Sequence, residues 1–184
     1  MSRYRRARVR GAVYFFTVVT FDRRPILTRP EVRAVLQAAW RKTRSERPFE
    51  TVALVLLPDH LHCVWRLPDG DGDFGTRWRL IKTRATRALV ATGWRVAAPS
   101  PQRARRRERD VWQRRFWEHL IRDDEDLRRH VEYTHYNPVR HGLAPRPVDW
   151  PFSTFHRYVR RGVYEPTWGT VEPALLRNWA GARE

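Results

Sequence analysis

An α+β sandwich with the element order β-α-β-β-α-β, followed by one more helix, is predicted by three features of the sequence. Residues 12–21 (AVYFFTVVTF) are apolar on both alternating faces, as in a central strand covered on two sides. Two further apolar runs, residues 49–57 and 60–67, flank a Pro58-Asp59 turn and so form a hairpin. Two stretches of helical periodicity, residues 31–44 and 74–89, stand one before and one after that hairpin. This order is the split β-α-β, or ferredoxin-like, arrangement, with the first and third strands central.

The first helix places Val32, Val35, Leu36, Ala39 and Trp40 at helical spacing, with Pro30 suited to its first turn and Pro48 just past its end. After the DGDGD loop at residues 69–73, the second helix repeats the pattern with Trp78, Ile81, Ala85 and Leu89. Residues 97–109 (AAPSPQRARRRER) hold no large apolar side chain and read as an exposed, mobile loop. Residues 111–121 predict a fourth strand. Residues 123–137 predict a helix with acids in its first turn, stopped by Pro138. The aromatic, proline-rich remainder reads as an irregular C-terminal wrap. The chain is expected to be one domain: a basic arm at 1–11, a core at 12–143 and an extension at 144–184.

Over 184 residues, 37 Lys and Arg face 20 Asp and Glu, a net charge of +17. Lys42 and Lys82 are the only lysines, so the excess is arginine, whose planar guanidinium matches phosphate bidentately. A nucleic-acid partner is the first expectation, ahead of an anionic membrane surface. A hydrophobic fraction of 41% with nine Trp and eight Phe excludes a disordered basic tail. A single cysteine, Cys63, excludes an internal disulfide framework and a CxxC zinc site, and fits a reducing, cytoplasmic setting. No apolar run approaches the roughly 20 residues of a membrane span, so no membrane partner is expected. The basic-then-apolar N-terminus imitates a secretory signal, but Asp22-Arg23-Arg24-Pro25 follows where a small-residue cleavage site belongs.

Two constellations could carry chemistry. His60 and His62 lie two apart on the third strand, so both imidazoles share one face while Leu61, Cys63 and Trp65 share the other. That is half of a metal site, and it needs a third ligand. Tyr133 and Asn137 lie four apart on the last helix and so share a helical face. On spacing alone, a core tyrosine and a helix-terminal asparagine before proline account for both.

Pro58-Asp59-His60-Leu61-His62, Trp112-Gln113, Phe116-Trp117-Glu118-His119, residues 133–142 (YTHYNPVRHG) and Asp149-Trp150-Pro151-Phe152-Ser153 form a set of motifs. Together they resemble those of the REP-associated tyrosine transposases, of the single-tyrosine branch of the His-hydrophobic-His endonuclease superfamily. The resemblance extends from Tyr4-Arg5-Arg6 to about Tyr164, and its specificity lies in combining HLH with Y-x-x-x-N-P-V. The arginine-rich stretch 99–109 is longer than the usual connection in that family.

The resemblance implies that His60 and His62 hold a divalent cation, that Tyr133 is the nucleophile and that Asn137 completes the metal site. It implies cleavage and strand transfer on single-stranded or hairpin DNA through a 5′-phosphotyrosine, by a monomer, with no small-molecule substrate. Two imidazoles and an amide suit Mn²⁺ on ligand softness, while Mg²⁺ keeps its waters, so the expected cofactor is Mg²⁺ or Mn²⁺. Asp59 and Glu118 are secondary candidates for a metal contact or a base. His119, His130, His135, His141 and His156 are expected to be structural or phosphate-facing.

DNA contacts are expected from the arm (Arg3, Arg5, Arg6, Arg8, Arg10) and from the second helix (Arg77, Arg79, Lys82, Arg84, Arg87). Unpaired bases would stack on some of the aromatic side chains. Two other readings compete. One is a non-catalytic RNA- or DNA-binding module of the same element order, which the histidines on the third strand oppose. The other is a replication initiator or relaxase of the same superfamily, in which two tyrosines are more usual.

Overall fold

The computed structural model describes residues 9–94, 111–177 and 179. Four antiparallel strands form one sheet: β1 (Val13–Val19), β2 (Glu50–Leu56), β3 (His60–Arg66) and β4 (Trp117–Leu120), in the order β2-β3-β1-β4. The expected α+β ferredoxin-like order is therefore present, with β1 and β3 central. Helices α1 (Pro30–Glu46) and α2 (Phe74–Ala91) cover one face; α3 (Asp124–Arg140) crosses the other.

Alternation along β1 divides the cores. Tyr14, Phe16 and Val18 face α1 and α2, joined by Leu61, Cys63 and Trp65 of β3. Phe15, with Val64 of β3, faces α3. The indoles of Trp65 and Trp78 stack at 4.4 Å between centroids at the centre of the first core.

Local signals fix the helix starts. Pro30 occupies the first turn of α1. The Asp73 carboxylate caps α2 by accepting the Thr76 N–H at 3.0 Å, and Asp123 caps α3 through the Asp126 N–H at 2.8 Å.

Three expectations are corrected. Pro138 does not stop α3; it lies inside a helix that continues to Arg140. The stop is Gly142 at φ 65°, where the N–H of Leu143 bonds the Pro138 carbonyl (2.8 Å) and the N–H of Gly142 bonds that of Val139 (2.9 Å). An internal proline costs about 3 kcal/mol; burial of the Pro138 ring offsets part of that cost.

The fourth strand is shorter than predicted. Val111 and Trp112 do reach the end of β1, through the Thr20–Trp112 bridge, but Trp117 pairs with Thr17. Five steps along this segment thus match three along β1, so two residues loop out and the ladder breaks.

The C-terminal region is not wholly irregular. It holds a short helix, α4 (Phe155–Arg160), and residues 152–154 run along the free edge of β2, with Leu56 N–H to Phe152 O and Thr154 N–H to Leu54 O both at 2.8 Å. That strip covers an edge that would otherwise present unpaired backbone. The arm at 1–8 and the whole arginine-rich stretch at 97–109 lie outside the described residues. Among the described residues no helix is long and apolar enough to cross a membrane.

Candidate active site

β3 delivers the two histidines as its alternation requires. His60 and His62 are both buried, with ring centroids 4.8 Å apart, on the face turned to α3. Each ring is held by its Nδ1. That of His60 lies 2.6 Å from Asp59 Oδ1, and that of His62 lies 3.0 Å from Thr17 Oγ1, across the β1–β3 pair. Nε2 of each, buried in the same space, is the atom through which it would ligate. Burial alone would raise the Asp59 carboxyl, but the hydrogen bonds and charges of His60 and Arg23 outweigh it and hold it below the usual carboxylate range.

α3 brings up the other half. The Tyr133 ring lies 5.2 Å from the His62 ring, edge on, and is 1% exposed. One turn later Asn137 is fully buried, and neither its Oδ1 nor its Nδ2 has a hydrogen-bond partner. Leaving a buried amide unmatched costs roughly 1–3 kcal/mol, so the side chain fits a ligand better than a packing role. Two imidazoles braced on their far nitrogens and one amide oxygen are a donor set suited to a divalent first-row ion or Mg²⁺. Tyr133 thus meets the His60–His62 pair, and Asn137 lies on α3 between Tyr133 and His141, whose rings both contact that pair. Tyr136 instead approaches Gly169 with its ring.

Two neighbours had no catalytic expectation attached. The His141 ring, at the end of α3, stands 5.2 Å from that of His60, and the Arg140 guanidinium lies 5.6 Å from the centroid of the Tyr133 ring. Their signal was positional, since residues seven and eight beyond Tyr133 return to its face of a helix that does not stop at Pro138. Trp179 covers the same region, with its ring 5.2 Å from Tyr133 and 5.0 Å from His130.

A second polar group lies further along α3. His119 Nε2 is 2.8 Å from Asp126 Oδ2, and His130 Nδ1 is 3.1 Å from Asp126 Oδ1. The three residues are close enough to hold an ion. Asp126 Oδ2, however, already accepts from the Arg122 N–H and guanidinium, so its lone pairs are used and a cation stands beside it. Burial pushes His130 down to about 4, against the pull of Asp126, so it is neutral near pH 7. This group ties β4 to α3.

Other expected residues are redistributed. Glu118 pairs with Phe16 and points to the α1 and α2 side of the sheet, which removes it as a base or metal contact. Asp59 acts on the imidazole of His60. Arg77 is 1% exposed, with its guanidinium donating to Asp71 Oδ2 (2.7 Å) and to the carbonyls of Arg47, Pro48 and Asp73. It bolts α2 to the start of β2 and cannot face DNA. Its place was visible in the spacing, since Phe74, Arg77 and Ile81 share the buried stripe of α2. Arg84 bonds Thr43 and Glu46, and Lys82 donates to the Gln113 carbonyl at 2.5 Å. Arg10, Arg79 and Arg87 are exposed. Arg3, Arg5, Arg6 and Arg8 lie outside the described residues.

No family model matches the chain. A solved structure of a REP-associated tyrosine transposase bound to a REP hairpin is similar to it with a TM-score of 0.77 and 41% identity, covering 100% of this chain and 99% of that one. A REP-associated tyrosine transposase of Escherichia coli K12 is 44% identical over 168 residues, 91% of each chain. A relative in Haemophilus influenzae, under the same family name, is 43% identical over 169 residues, 92% of this chain and 94% of its own. With this likeness running through nearly the whole length, the chain belongs to the REP-associated tyrosine transposases.

Proposed function

We propose that the chain cuts and rejoins single-stranded or hairpin DNA of the REP type through a covalent 5′-phosphotyrosine on Tyr133, acting as a cytoplasmic monomer with Mg²⁺ or Mn²⁺. The observation that supports this reading is the contact of one phenol with two braced imidazoles between β3 and α3, with a buried, unmatched carboxamide one turn further along α3. His60 and His62 through Nε2, and Asn137 through Oδ1, would hold the cation. When bound, it supplies charge that neutralises a non-bridging phosphate oxygen as the reaction proceeds.

The chain's own groups do the rest. The Tyr133 oxygen attacks phosphorus and gives up its proton as that bond forms; the bond from phosphorus to the 3′-oxygen breaks, leaving a 3′-hydroxyl once that oxygen is protonated. Arg140 holds its guanidinium over the Tyr133 ring face, which puts a cation on the phenol's side of α3. The thrifty part of the scheme is that a phosphotyrosine keeps the ester linkage, so a returning 3′-hydroxyl restores the backbone by the reverse step. Asp59 and Thr17 fix the imidazoles beforehand, so little reorganisation remains for the reaction.

Incubation of the protein with a labelled REP-type hairpin and Mn²⁺, followed by a denaturing gel, tests the reading. Wild type leaves a DNA adduct and Tyr133→Phe leaves none; an adduct that survives Tyr133→Phe removes Tyr133 as nucleophile. His60→Ala loses cleavage while keeping most hairpin affinity, because binding is supplied chiefly by arginine–phosphate contacts.

A further inference from the structure

The imidazoles of His60 and His62 are braced in different ways. Thr17, which holds His62, lies within β1 directly opposite it, so the β1–β3 ladder fixes both partners. His60 is the first residue of β3, and its brace, Asp59, stands before the strand, in the turn from β2. What holds Asp59 is the turn that follows β1. The Thr20 N–H donates to the Asp59 carbonyl at 2.8 Å, and the buried Thr20 hydroxyl lies 2.8 Å from the same oxygen. The Arg23 guanidinium donates to Asp59 Oδ2 at 3.1 Å, while Oδ1 lies 2.6 Å from His60 Nδ1. To make this contact the chain takes an uncommon path. Asp22 (φ 55°, ψ 31°) and Arg23 (φ 46°) are both left-handed, a conformation that costs a residue with a Cβ and persists where its neighbours over-determine it. Among the described residues, they are the only two besides glycine with positive φ.

We propose that Arg23 is a positioning residue for the metal site, an inference that rests on the metal-dependent reading above. Each oxygen of the Asp59 carboxylate has its own partner, so the group is held against rotation. A carboxylate fixed in that way accepts the Nδ1 proton of His60, which leaves the Nε2 lone pair to the cation. Without the guanidinium the carboxylate turns, the imidazole loses its set tautomer and orientation, and the cation binds more weakly. The ion pair itself adds little to stability, since the Arg23 side chain is 46% exposed; its effect is on orientation. Coulomb forces alone give the opposite sign, because removing one cation favours another nearby. The two effects are therefore separable by experiment.

The test measures Mn²⁺ binding to the full chain from the paramagnetic resonance signal of free Mn²⁺, with no DNA present. Arg23→Gln weakens binding roughly tenfold, the lower end of the loss on removing an outer partner of a metal ligand. Arg23→Lys restores most of it, since the contact uses one N–H donor. Asp59→Asn weakens binding at least as much, and adding Arg23→Gln to it has no further effect, because the guanidinium acts through that carboxylate. In the metal-free protein the ¹⁵N resonances of His60, assigned by their loss in His60→Gln, report one tautomer protonated at Nδ1 in wild type and a mixture of the two in Arg23→Gln. Unchanged or tighter Mn²⁺ binding by Arg23→Gln, additive losses in the double variant, or an unaltered tautomer overturns the proposal. Weaker hairpin binding in metal-free buffer with an unchanged Mn²⁺ constant also overturns it, and makes Arg23 a phosphate contact. A wild type that binds no Mn²⁺ is a different result, which sinks the metal-dependent reading itself, while the tautomer of His60 still decides the role of Arg23.

Discussion

Against α1 and α2 the sheet presents Tyr14, Phe16, Leu61, Cys63 and Trp65, closed by Phe74, Trp78 and Ile81, all at most 1% exposed. Against α3 it presents Phe15 and Val64 beside His60, His62 and Thr17, closed by Tyr133, His130 and Asn137, which are equally well buried. The same strand, β3, supplies both faces by alternation. One face buries hydrocarbon and gains from it. The other buries polar atoms, tolerates an unmatched amide and holds the groups to which we assign the proposed chemistry. Stability and reactivity are thus separated by the thickness of one sheet, and substitutions on the two sides should fail in different ways.

The largest expected effect is on reaction, with little on folding. Tyr133→Phe removes one hydroxyl and abolishes the DNA adduct, while the urea midpoint stays close to wild type, within the small change usual for a conservative substitution. A large drop in stability would mean that the two faces are not separable. The converse comes from Trp78→Ala, which should lower unfolding free energy by about 3–5 kcal/mol. At a temperature where that variant is still folded, it should retain adduct formation; selective loss of chemistry without loss of stability would contradict the division.

Asn137→Leu sharpens the comparison from the polar side. Without metal it should leave stability unchanged or raise it by roughly 1–3 kcal/mol, because an unmatched amide is replaced by hydrocarbon of similar size. Mn²⁺ should raise the melting temperature of wild type, and this variant should lose that rise. A destabilised apo variant that still responds to Mn²⁺ would return Asn137 to a packing role.

A smaller effect should appear in pH dependence. Burial, helped by Arg157, pushes His135 down to about 3, and burial pushes His130 down to about 4. Both pKa values lie below that of an unfolded histidine, near 6.5, so the unfolded chain binds more protons over that interval. Stability is therefore fully present above about pH 6.5 and declines as pH falls through the interval toward the folded values. Urea midpoints measured from pH 7.5 to 4.5 should show this slope, and His135→Phe should flatten it. A slope unchanged in that variant would mean that other groups set it.

How much was legible in the sequence depended on whether a signal was periodic or tertiary. The two-sided burial of β1, the β2–β3 hairpin and the shared face of His60 and His62 follow from strand alternation, and all are present. Tyr133 and Asn137 followed from helical spacing and were given roles by the family resemblance. The end of α3 was misjudged because a proline signal was weighed without the Gly142 stop four residues later. The two residues looped out before β4 leave no periodic trace in the sequence. Composition suggested that the arginines of α2 were alike, but burial separates Arg77, bonded on every side, from the exposed Arg79 and Arg87. The His119, Asp126 and His130 group joins a strand to a helix and was visible only once the two were packed.

The most direct test is to map the covalent linkage itself. The protein is incubated with REP-type hairpin DNA and Mn²⁺, digested with trypsin and nuclease, and its peptides are sequenced by mass spectrometry. The account predicts a nucleotide joined through its 5′-phosphate to Tyr133, absent when His60 or His62 is replaced by alanine. A linkage at Tyr136 or any other residue, or one formed equally well without the two histidines, would contradict it.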